Sequence, residues 1–297
     1  MRNILALLQF LLVVILTLPL ALLPYRISLG AGGVMGSLLF FLWKSRRITA
    51  IENIKGAISR NAVTTDSTPE SIVRQLFRNL GRSFAEVTKI HYGLGKSVIK
   101  NVKIEGAGNF HRAHAKGNGV ILIAGHCGNW ELMAVALSVN LTRLNVVARP
   151  IDNPYFNSVI EKTRKKYGNN VIYKKGALKK ILSLLKRNET VGILMDQSVI
   201  KTEGLITDFL GKKDYTMKTP ALIARKTNSP VLPIFIRRIK GGHIIEIGKE
   251  IELDRSEDSE KAVLNDTIRF NGYIEEYIRQ NPHEWLWIHR RWKRIND

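Results

Sequence analysis

The stretch that decides the fold is GVILIAGHCGNWEL, residues 119–132. It begins with an apolar run typical of a buried strand, passes through Gly125 and His126, and continues into Trp130-Glu131-Leu132, which can open a helix. An apolar strand that turns directly into a helix is typical of open α/β sheets, where ligands bind at the carboxyl ends of the strands. The pattern therefore predicts that His126 lies at a sheet edge where binding sites form.

From residue 102 onward, short apolar runs alternate with amphipathic segments. The predicted strands are Val102–Glu105, Val120–Ala124, Asn145–Arg149, Asn170–Tyr173, Val191–Met195, Val231–Ile236 and His243–Gly248. The predicted helices are Asn129–Val139, Pro154–Tyr167, Ala177–Arg187, Thr219–Thr227 and a last one over about 258–280. This alternation predicts an α/β domain, with a mixed, largely parallel central sheet flanked by helices.

A further helix is predicted after the polar loop 61–70, with Thr68 as its cap and Pro69 in its first turn. Three arginines stand four residues apart beside its apolar face: Arg74, Arg78 and Arg82. We interpret this basic stripe as a solvated face, with a membrane-facing role as the alternative.

The N-terminal part of the chain is strongly apolar. Residues 4–23 are an uncharged run, and a helix of that length matches a hydrocarbon core of about 30 Å. A signal peptide is the competing interpretation, but its apolar region is normally shorter, and no A-x-A-like cleavage site stands near Pro24. Residues 27–43 are also uncharged and could pack against this anchor or lie in the membrane interface. We therefore predict an anchor and interfacial segment over 1–43 and a cytoplasmic domain over 44–297.

The charge of the chain indicates what it meets. The 297 residues carry a net charge of +21, and residues 44–297 keep +19 because residues 1–43 contain only Arg2 and Arg26 as charged residues. Such a field attracts phosphates, anionic lipid and acidic proteins. Lys44, Arg46 and Arg47 follow the apolar segment and favour a cytoplasmic domain. The single cysteine excludes a disulfide framework within the chain and agrees with a reducing compartment.

The spacing His126-x4-Glu131 is the strongest chemical pattern. On one continuous helix the two side chains would point about 140° apart, so they can meet only across a turn, which Gly125 and Gly128 permit. Glu131 could then accept a hydrogen bond from one imidazole nitrogen, leaving the other basic and directed at a hydroxyl. The alternative is a satisfied histidine beside a surface glutamate.

Other catalytic and binding patterns are weaker. The chain has no HExxH motif and no cysteine pair, so a metal site lacks support. We interpret Cys127 as a packing or lining residue. Arg149, the segment Lys174-Lys175-Gly176 and the tail WLWIHRRWKR (285–294) are candidate anion sites. For each of them, solvated charge is the alternative, and for the tail an anchored C-terminal strap.

An ordered set of motifs runs along nearly the whole chain. It comprises the apolar N-terminus, Arg47 with Glu52-Asn53-Ile54, Val102–Gly106, Gly119–Glu131, Arg149–Asn153, Lys175–Leu178, Asp196-Gln197, Phe209–Gly211, Thr219–Ala221, Pro230–Pro233 and Trp285–Trp292. In these motifs the sequence resembles the bacterial lipid A biosynthesis acyltransferases, the lauroyl/myristoyl acyltransferases of the glycerophospholipid acyltransferase superfamily. Ser198-Val199 departs mildly from the resemblance, where an acidic or small residue is frequent.

The resemblance implies transfer of a fatty acyl chain from acyl carrier protein or acyl-CoA to a hydroxyl of a lipid A precursor, an anionic membrane lipid. It implies an enzyme of the inner membrane with its catalytic domain on the cytoplasmic face, without cofactor, metal or nucleic-acid partner. His126 would be the general base and Glu131 its orienting partner. The implied substrate-binding residues are Arg149, Lys175, Gly176, Asp196 and Gln197.

Two alternatives stay open at this point. One is an acyltransferase that acts on another membrane lipid, such as a glycolipid, an ornithine lipid or a glycerophosphate. The other is a membrane-tethered basic protein without catalytic activity, which binds anionic lipid or nucleic acid.

Overall fold

A computed structural model describes residues 2–150, 152–173 and 176–295. Its strands are β1 (Val102–Glu105), β2 (Val120–Ala124), β3 (Leu144–Ala148), β4 (Asn170–Tyr173), β5 (Thr190–Leu194), β6 (Gly204–Phe209), β7 (Lys212–Met217), β8 (Val231–Ile239) and β9 (Gly242–Ile247). Its α-helices are α1 (Arg2–Leu22), α2 (Tyr25–Leu42), α3 (Lys44–Ser59), α4 (Pro69–His91), α5 (Lys96–Lys100), α6 (Ala107–His114), α7 (Trp130–Asn140), α8 (Pro154–Lys166), α9 (Ala177–Lys186), α10 (Thr219–Thr227) and α11 (Ser259–Gln280).

Seven strands form the central sheet in the order β1-β9-β8-β2-β5-β3-β4. Strands β8, β2, β5, β3 and β4 run parallel, β9 is antiparallel to β8, and β1 is parallel to β9. Strands β6 and β7 form a separate antiparallel hairpin. The predicted fold class, a mixed and largely parallel sheet flanked by helices, is confirmed.

Strand β2 lies at the centre of this sheet and carries the decisive stretch. All five of its residues are buried. Ile121 and Ile123 pack into the core on one face, and Val120, Leu122 and Ala124 pack into the core on the other. Because helices cover both faces, the strand is apolar at every position instead of alternating with polar residues.

The predicted element bounds agree closely with the structure. Val102–Glu105, Val120–Ala124, Asn170–Tyr173 and Thr219–Thr227 are confirmed at both ends, and the other predicted ends coincide or differ by one residue, except that β8 continues to Ile239. The hairpin β6–β7 is not among the predicted elements.

Helix α4 begins as predicted. The Thr68 side chain accepts a hydrogen bond from the Ser71 amide, and Pro69 occupies the first turn. This capping satisfies one of the amides that the first turn leaves without a helical partner.

Helices α1 and α2 are both long and apolar enough to cross a membrane. Helix α2 packs mainly along α4, because glycines allow the two backbones to approach closely. An added Cβ at Gly32 would stand 2.5 Å from the Gly81 carbonyl oxygen, and one at Gly36 would stand 2.1 Å from that of Phe77. Helix α1 contacts α4 and α8. Residues 27–43 were expected either to pack against the anchor or to lie in the membrane interface. In the structure, the main packing contact of α2 is with α4 and not with the predicted anchor α1.

Candidate active site

The turn that separates His126 from Glu131 is present as the glycines require. Strand β2 ends at Ala124, and α7 begins at Trp130. Gly128 has a φ of +58°, and a Cβ added there would stand 2.2 Å from the carbonyl oxygen of Ile236. Asn129 caps the helix by accepting a hydrogen bond from the Leu132 amide. A residue with a side chain would be strained at Gly128 in both conformation and space.

The imidazole of His126 is paired with Asp196. Its Nδ1 lies 2.8 Å from Oδ1 of Asp196, and its backbone amide donates to Oδ2 at 3.0 Å. Asp196 follows the end of β5, and β5 is the parallel neighbour of β2. The carboxyl ends of adjacent parallel strands lie at the same edge of a sheet, which is why these two residues meet.

The tail after α11 completes this arrangement. The indole nitrogen of Trp285 donates to Oδ2 of Asp196 at 2.7 Å. The backbone of the tail also pairs with the His126 loop, because the Leu286 amide donates to the His126 carbonyl and the Gly128 amide donates to that of Glu284. Trp285 and Trp287 are buried, as is Arg291. This part of the tail is therefore the anchored strap that the sequence analysis gave as an alternative.

The two residues of this pair shift each other's pKa. Burial opposes ionisation of Asp196, but the His126 ring, the His126 amide and Trp285 together lower the pKa of Asp196 to about 2. Burial also opposes the charged form of His126, but the Asp196 carboxylate outweighs it, so the pKa of His126 is raised above its ordinary value. Because an ionised carboxylate only accepts hydrogen bonds, Nδ1 carries the proton and Nε2 keeps its lone pair.

Glu131 does not occupy the position that its spacing predicted. Its carboxylate forms two hydrogen bonds to Arg164 of α8, with Oε1 2.5 Å from Nη2 and Oε2 3.2 Å from Nε. The expected hydrogen bond between Glu131 and His126 is replaced by the one between Asp196 and His126. The physical reason is that Glu131 lies in the first turn of α7, where the guanidinium of α8 binds it, whereas β5 delivers Asp196 directly to the ring. The charge of Glu131 still contributes to the raised pKa of His126.

A cavity of about 370 Å³ opens beside this pair. Its charged and polar side chains are His126, Glu131, Arg149, Arg164, Gln197 and Ser198. Its apolar wall consists of residues of the sheet and of α7, among them Leu122, Ala124, Met133, Ala134, Leu137, Leu144, Val146 and Ile234. A cavity of this volume, apolar with a few convergent polar groups, is typical of a site for a small molecule or an acyl chain.

A second, almost wholly apolar cavity of about 210 Å³ adjoins the first. Phe10 of α1, Val87 of α4 and Ile160 of α8 are among the residues that line it. Glu131 and Arg164 line both cavities, so this ion pair stands between them.

A buried hydrogen-bond network holds the loop between β2 and α7 at Asn129. Glu86 of α4 accepts two hydrogen bonds from Arg238 of β8, at 2.6 and 2.8 Å. It also accepts from the Asn129 side chain at 2.9 Å and from the Tyr25 hydroxyl at 2.9 Å. Burial would raise the pKa of Glu86, but Arg238 and its other partners lower it. The cap of α7 is thereby fixed to α4 and α2.

The remaining predicted site residues lie at different distances from the His126–Asp196 pair. The Nε2 atom of Gln197 is 3.4 Å from both ring nitrogens of His126. Arg149 is exposed and pairs with Asp152 at 3.1 Å, yet it lines the larger cavity. Gly176 is exposed and has a φ of +74° ahead of α9. Lys175 lies outside the described residues.

Two other expectations concern nucleophilic and metal chemistry. Cys127 is buried, and burial raises its pKa well above the ordinary value, so the thiol is poorly suited as a nucleophile. Within residues 2–150, 152–173 and 176–295, no group of three or more His, Cys, Asp or Glu side chains could hold a metal ion.

Two residues of the site escaped the sequence analysis. The sequence places Trp285 in the C-terminal tail, where nothing links it to Asp196, and Arg164 is one of several basic residues of the predicted helix Pro154–Tyr167. Neither has a sequence signal of its own, because each reaches the site through tertiary packing.

Comparison with known proteins places this geometry in a family. The family model for bacterial lipid A biosynthesis acyltransferases matches residues 2–294. The chain belongs to this family. It is an acyltransferase by that membership, and the resemblance stated from its motifs is confirmed.

Individual relatives are distant but cover most of the chain. A lipid A biosynthesis acyltransferase of Haemophilus influenzae is 22% identical over 279 residues, which are 91% of this chain and 82% of that protein. The lipid A biosynthesis palmitoleoyltransferase of Escherichia coli is 23% identical over 91% of this chain and 86% of its own length. The lipid A biosynthesis lauroyltransferase of the same species is 21% identical, with coverage of 91% and 87%.

Proposed function

We propose that this acyltransferase moves a fatty acyl group from acyl carrier protein or acyl-CoA to a hydroxyl of a lipid A precursor, with His126 as general base. The observation that carries the proposal is the hydrogen bond between Nδ1 of His126 and Asp196 beside a largely apolar cavity. It leaves Nε2 as the base, beside a space that accepts a hydrocarbon chain.

The proposed reaction needs no covalent enzyme intermediate. Nε2 of His126 takes the proton of the acceptor hydroxyl while its oxygen attacks the thioester carbonyl carbon. The tetrahedral intermediate then collapses, the carbon–sulfur bond breaks, and the imidazolium returns the proton to the departing thiolate. The products are the acylated lipid and the free thiol, and His126 is neutral again.

Asp196 takes the orienting role in this proposal. It is ionised, holds the proton on Nδ1 and stabilises the imidazolium that forms during transfer. We propose that Glu131 acts through Arg164, by keeping this guanidinium between the two cavities. Arg149, Lys175, Gly176 and Gln197 remain proposed substrate-binding residues.

The electrostatics suit the proposed substrates. A net charge of +19 on residues 44–297 attracts acyl carrier protein, which is acidic, and lipid A precursors, which carry phosphate. The apolar helices α1 and α2 support membrane association. We place the protein at the inner membrane with the catalytic domain on the cytoplasmic face, because Lys44, Arg46 and Arg47 follow α2.

The proposal is tested with the purified full-length protein, a lipid A precursor and either acyl-carrier-protein thioester or acyl-CoA, by mass spectrometry of the lipid product. His126→Ala should lower turnover by about 10²–10⁴, the usual contribution of a general base. His111→Ala, an exposed histidine on α6, is the matched control and should leave turnover unchanged.

Near wild-type transfer by the His126→Ala variant would contradict the proposal. Salt-dependent binding of anionic lipid, without transfer from either donor, would instead favour a protein that only binds membranes. The better donor is identified by the higher kcat/KM of the wild-type protein.

A further inference from the structure

Arg78 and Arg82 stand on α4 without an acidic partner. Neither makes a hydrogen bond or an ion pair with the part of the chain that the structure describes, and Nε of Arg82 is buried without a hydrogen-bond partner. The carboxylates on the same helix are already used: Glu70 pairs with Arg74, and Glu86 is bound by Arg238. Two cations therefore lie side by side without a carboxylate bound to either of them.

These two arginines lie over the middle of α2. A Cβ added at Gly33 would stand 3.3 Å from Nε of Arg82 and 3.6 Å from Nε of Arg78. Because Gly33 has no side chain, the side chains of both arginines pass close to the backbone of α2 at this position. Burial, Arg78 and Arg238 lower the pKa of Arg82 in that order, and Glu86 offsets them only in part, so an anion placed between the two arginines would relieve an unfavourable concentration of positive charge.

The position of the arginines also indicates how α2 meets the bilayer. Gly33 lies midway along Tyr25–Leu42, so a transmembrane α2 would hold both cations near the bilayer centre, where charged side chains are strongly disfavoured. In contrast, the side of α2 away from α4 is apolar and exposed. Val34, Leu38 and Phe41 form one exposed helical face, with exposed fractions of 62%, 56% and 56%, and the guanidinium of Arg74 on α4 reaches the Phe41 ring at one end of this face, 5.2 Å from its centroid.

We propose that α2 lies in the plane of the membrane surface, with Val34, Leu38 and Phe41 among the acyl chains and with Arg78 and Arg82 bound to phosphates of anionic phospholipids. An apolar stripe beside a row of arginines is the arrangement by which interfacial helices use both burial and attraction to anionic headgroups. The proposal concerns the bilayer and is independent of the proposed chemistry at His126.

The first experiment measures phospholipid binding to the detergent-solubilised full-length protein by native mass spectrometry, with phosphatidylglycerol and phosphatidylcholine as probes. The double variant R78Q/R82Q should bind phosphatidylglycerol about 25-fold more weakly than the wild type, from roughly a fivefold effect per arginine. The control variant R112Q/R143Q removes the same charge from exposed arginines elsewhere. It should bind phosphatidylglycerol like the wild type, and phosphatidylcholine binding should be weak throughout.

Equal loss of phosphatidylglycerol binding in both double variants would overturn the proposal, because it would show that only the overall charge matters. Unchanged phosphatidylglycerol binding by R78Q/R82Q would overturn the proposal as well. If that variant also raised the KM for a phosphorylated acceptor, the arginines would recognise the substrate and not the bilayer. No donor or acceptor is present in the binding measurement, so failure of the proposed chemistry leaves its result intact.

A second measurement does not depend on the arginine variants. Nitroxide labels on single cysteines introduced at Ile27, Val34 and Phe41, all exposed, report depth in nanodiscs that contain phosphatidylglycerol, through their accessibility to oxygen and to a nickel chelate. The native Cys127 is buried and should not compete for the label. The in-plane arrangement gives three similar, shallow depths. A depth that is greatest at Val34, with shallow positions at both ends, would identify a spanning helix and overturn the proposal.

Discussion

Trp285 donates its indole N–H to Oδ2 of Asp196 at 2.7 Å, and Asp196 in turn binds the imidazole of His126 at 2.8 Å. A residue close to the end of the chain therefore holds the carboxylate that follows a central strand. With the His126 amide as a third donor, both carboxylate oxygens have partners, and the carboxylate cannot rotate without breaking a charge-assisted hydrogen bond.

The first prediction concerns this indole. Trp285→Phe removes the donor and keeps an aromatic ring, so we expect kcat to fall about tenfold, which matches the loss of one hydrogen bond to a charged group. The KM for the acyl donor should change less than twofold, because Trp285 positions Asp196 and lines neither described cavity beside the dyad.

Trp287→Phe is the matched control for that variant. The indole of Trp287 donates to the Pro282 carbonyl and is as deeply buried, but it does not reach Asp196. Steady-state kinetics of both variants test the role of the Trp285 indole. Equal kcat values for Trp285→Phe and Trp287→Phe would mean that the tail contributes packing alone.

The second prediction is a pH dependence. The ionised Asp196 raises the pKa of His126, and its own pKa of about 2 keeps it charged throughout an enzyme assay. Turnover by the wild type should rise with pH along one ionisation whose midpoint lies above the ordinary value for histidine. Asp196→Asn should lower the plateau by about 10²–10⁴ and move that midpoint to lower pH, because the neutral amide no longer stabilises the imidazolium.

The profile of log kcat/KM between pH 5 and 9 measures both effects. A lowered plateau with an unmoved midpoint would indicate that the titrating group is not His126.

Most of the fold follows from local pattern. Strand β2 and its neighbours are apolar because both faces of the sheet are covered, and their runs end where helix caps begin. The hairpin β6–β7 escaped prediction because, apart from Phe209, its buried side chains are polar: Thr207, Asp214 and Thr216 face the core with 3%, 0% and 0% exposure. Burial of hydrogen-bonded polar groups leaves no hydrophobic periodicity to detect.

Of the two residues in the His126–Asp196 pair, the sequence predicts the role of His126 but not that of its partner. His126 was identified because it follows a buried strand and precedes a glycine turn. The partner of its ring could not be identified from spacing, because Asp196 reaches the ring through the adjacency of β2 and β5, and the sequence does not state which strands are neighbours. Glu131, the residue at the right spacing, binds Arg164 instead.

The third prediction uses the buried carboxyl of Glu284, next to Trp285. Burial raises the pKa of Glu284 to about 7, whereas an unfolded chain ionises this group at about 4.3. The folded protein therefore loses stability as pH rises between these two values, by an amount on the order of 4 kcal/mol. Glu284→Gln removes the titration, so its free energy of unfolding should fall much less than that of the wild type between pH 5 and pH 8.

Urea unfolding at the two pH values measures this difference, with Glu257→Gln, an exposed glutamate, as the control that should behave like the wild type. Parallel losses in the wild type and Glu284→Gln would show that another group is responsible for the pH dependence.

The fourth prediction tests the contact between α2 and α4. A Cβ added at Gly81 would stand 2.0 Å from the Gly32 carbonyl oxygen and 2.7 Å from the Gly36 amide nitrogen, both of them backbone atoms that cannot rotate away. Gly81→Ala must therefore separate the helices, and we expect it to lower the free energy of unfolding by about 1–3 kcal/mol, the usual cost of overpacking.

Gly30→Ala on α2 is the matched control, because nothing lies within 4 Å of its added methyl group. Alanine is the better helix former, so this variant should gain about 0.5–1 kcal/mol. The two alanines thus shift the thermal unfolding midpoint in opposite directions if α2 and α4 are in backbone contact, and in the same direction if they are not.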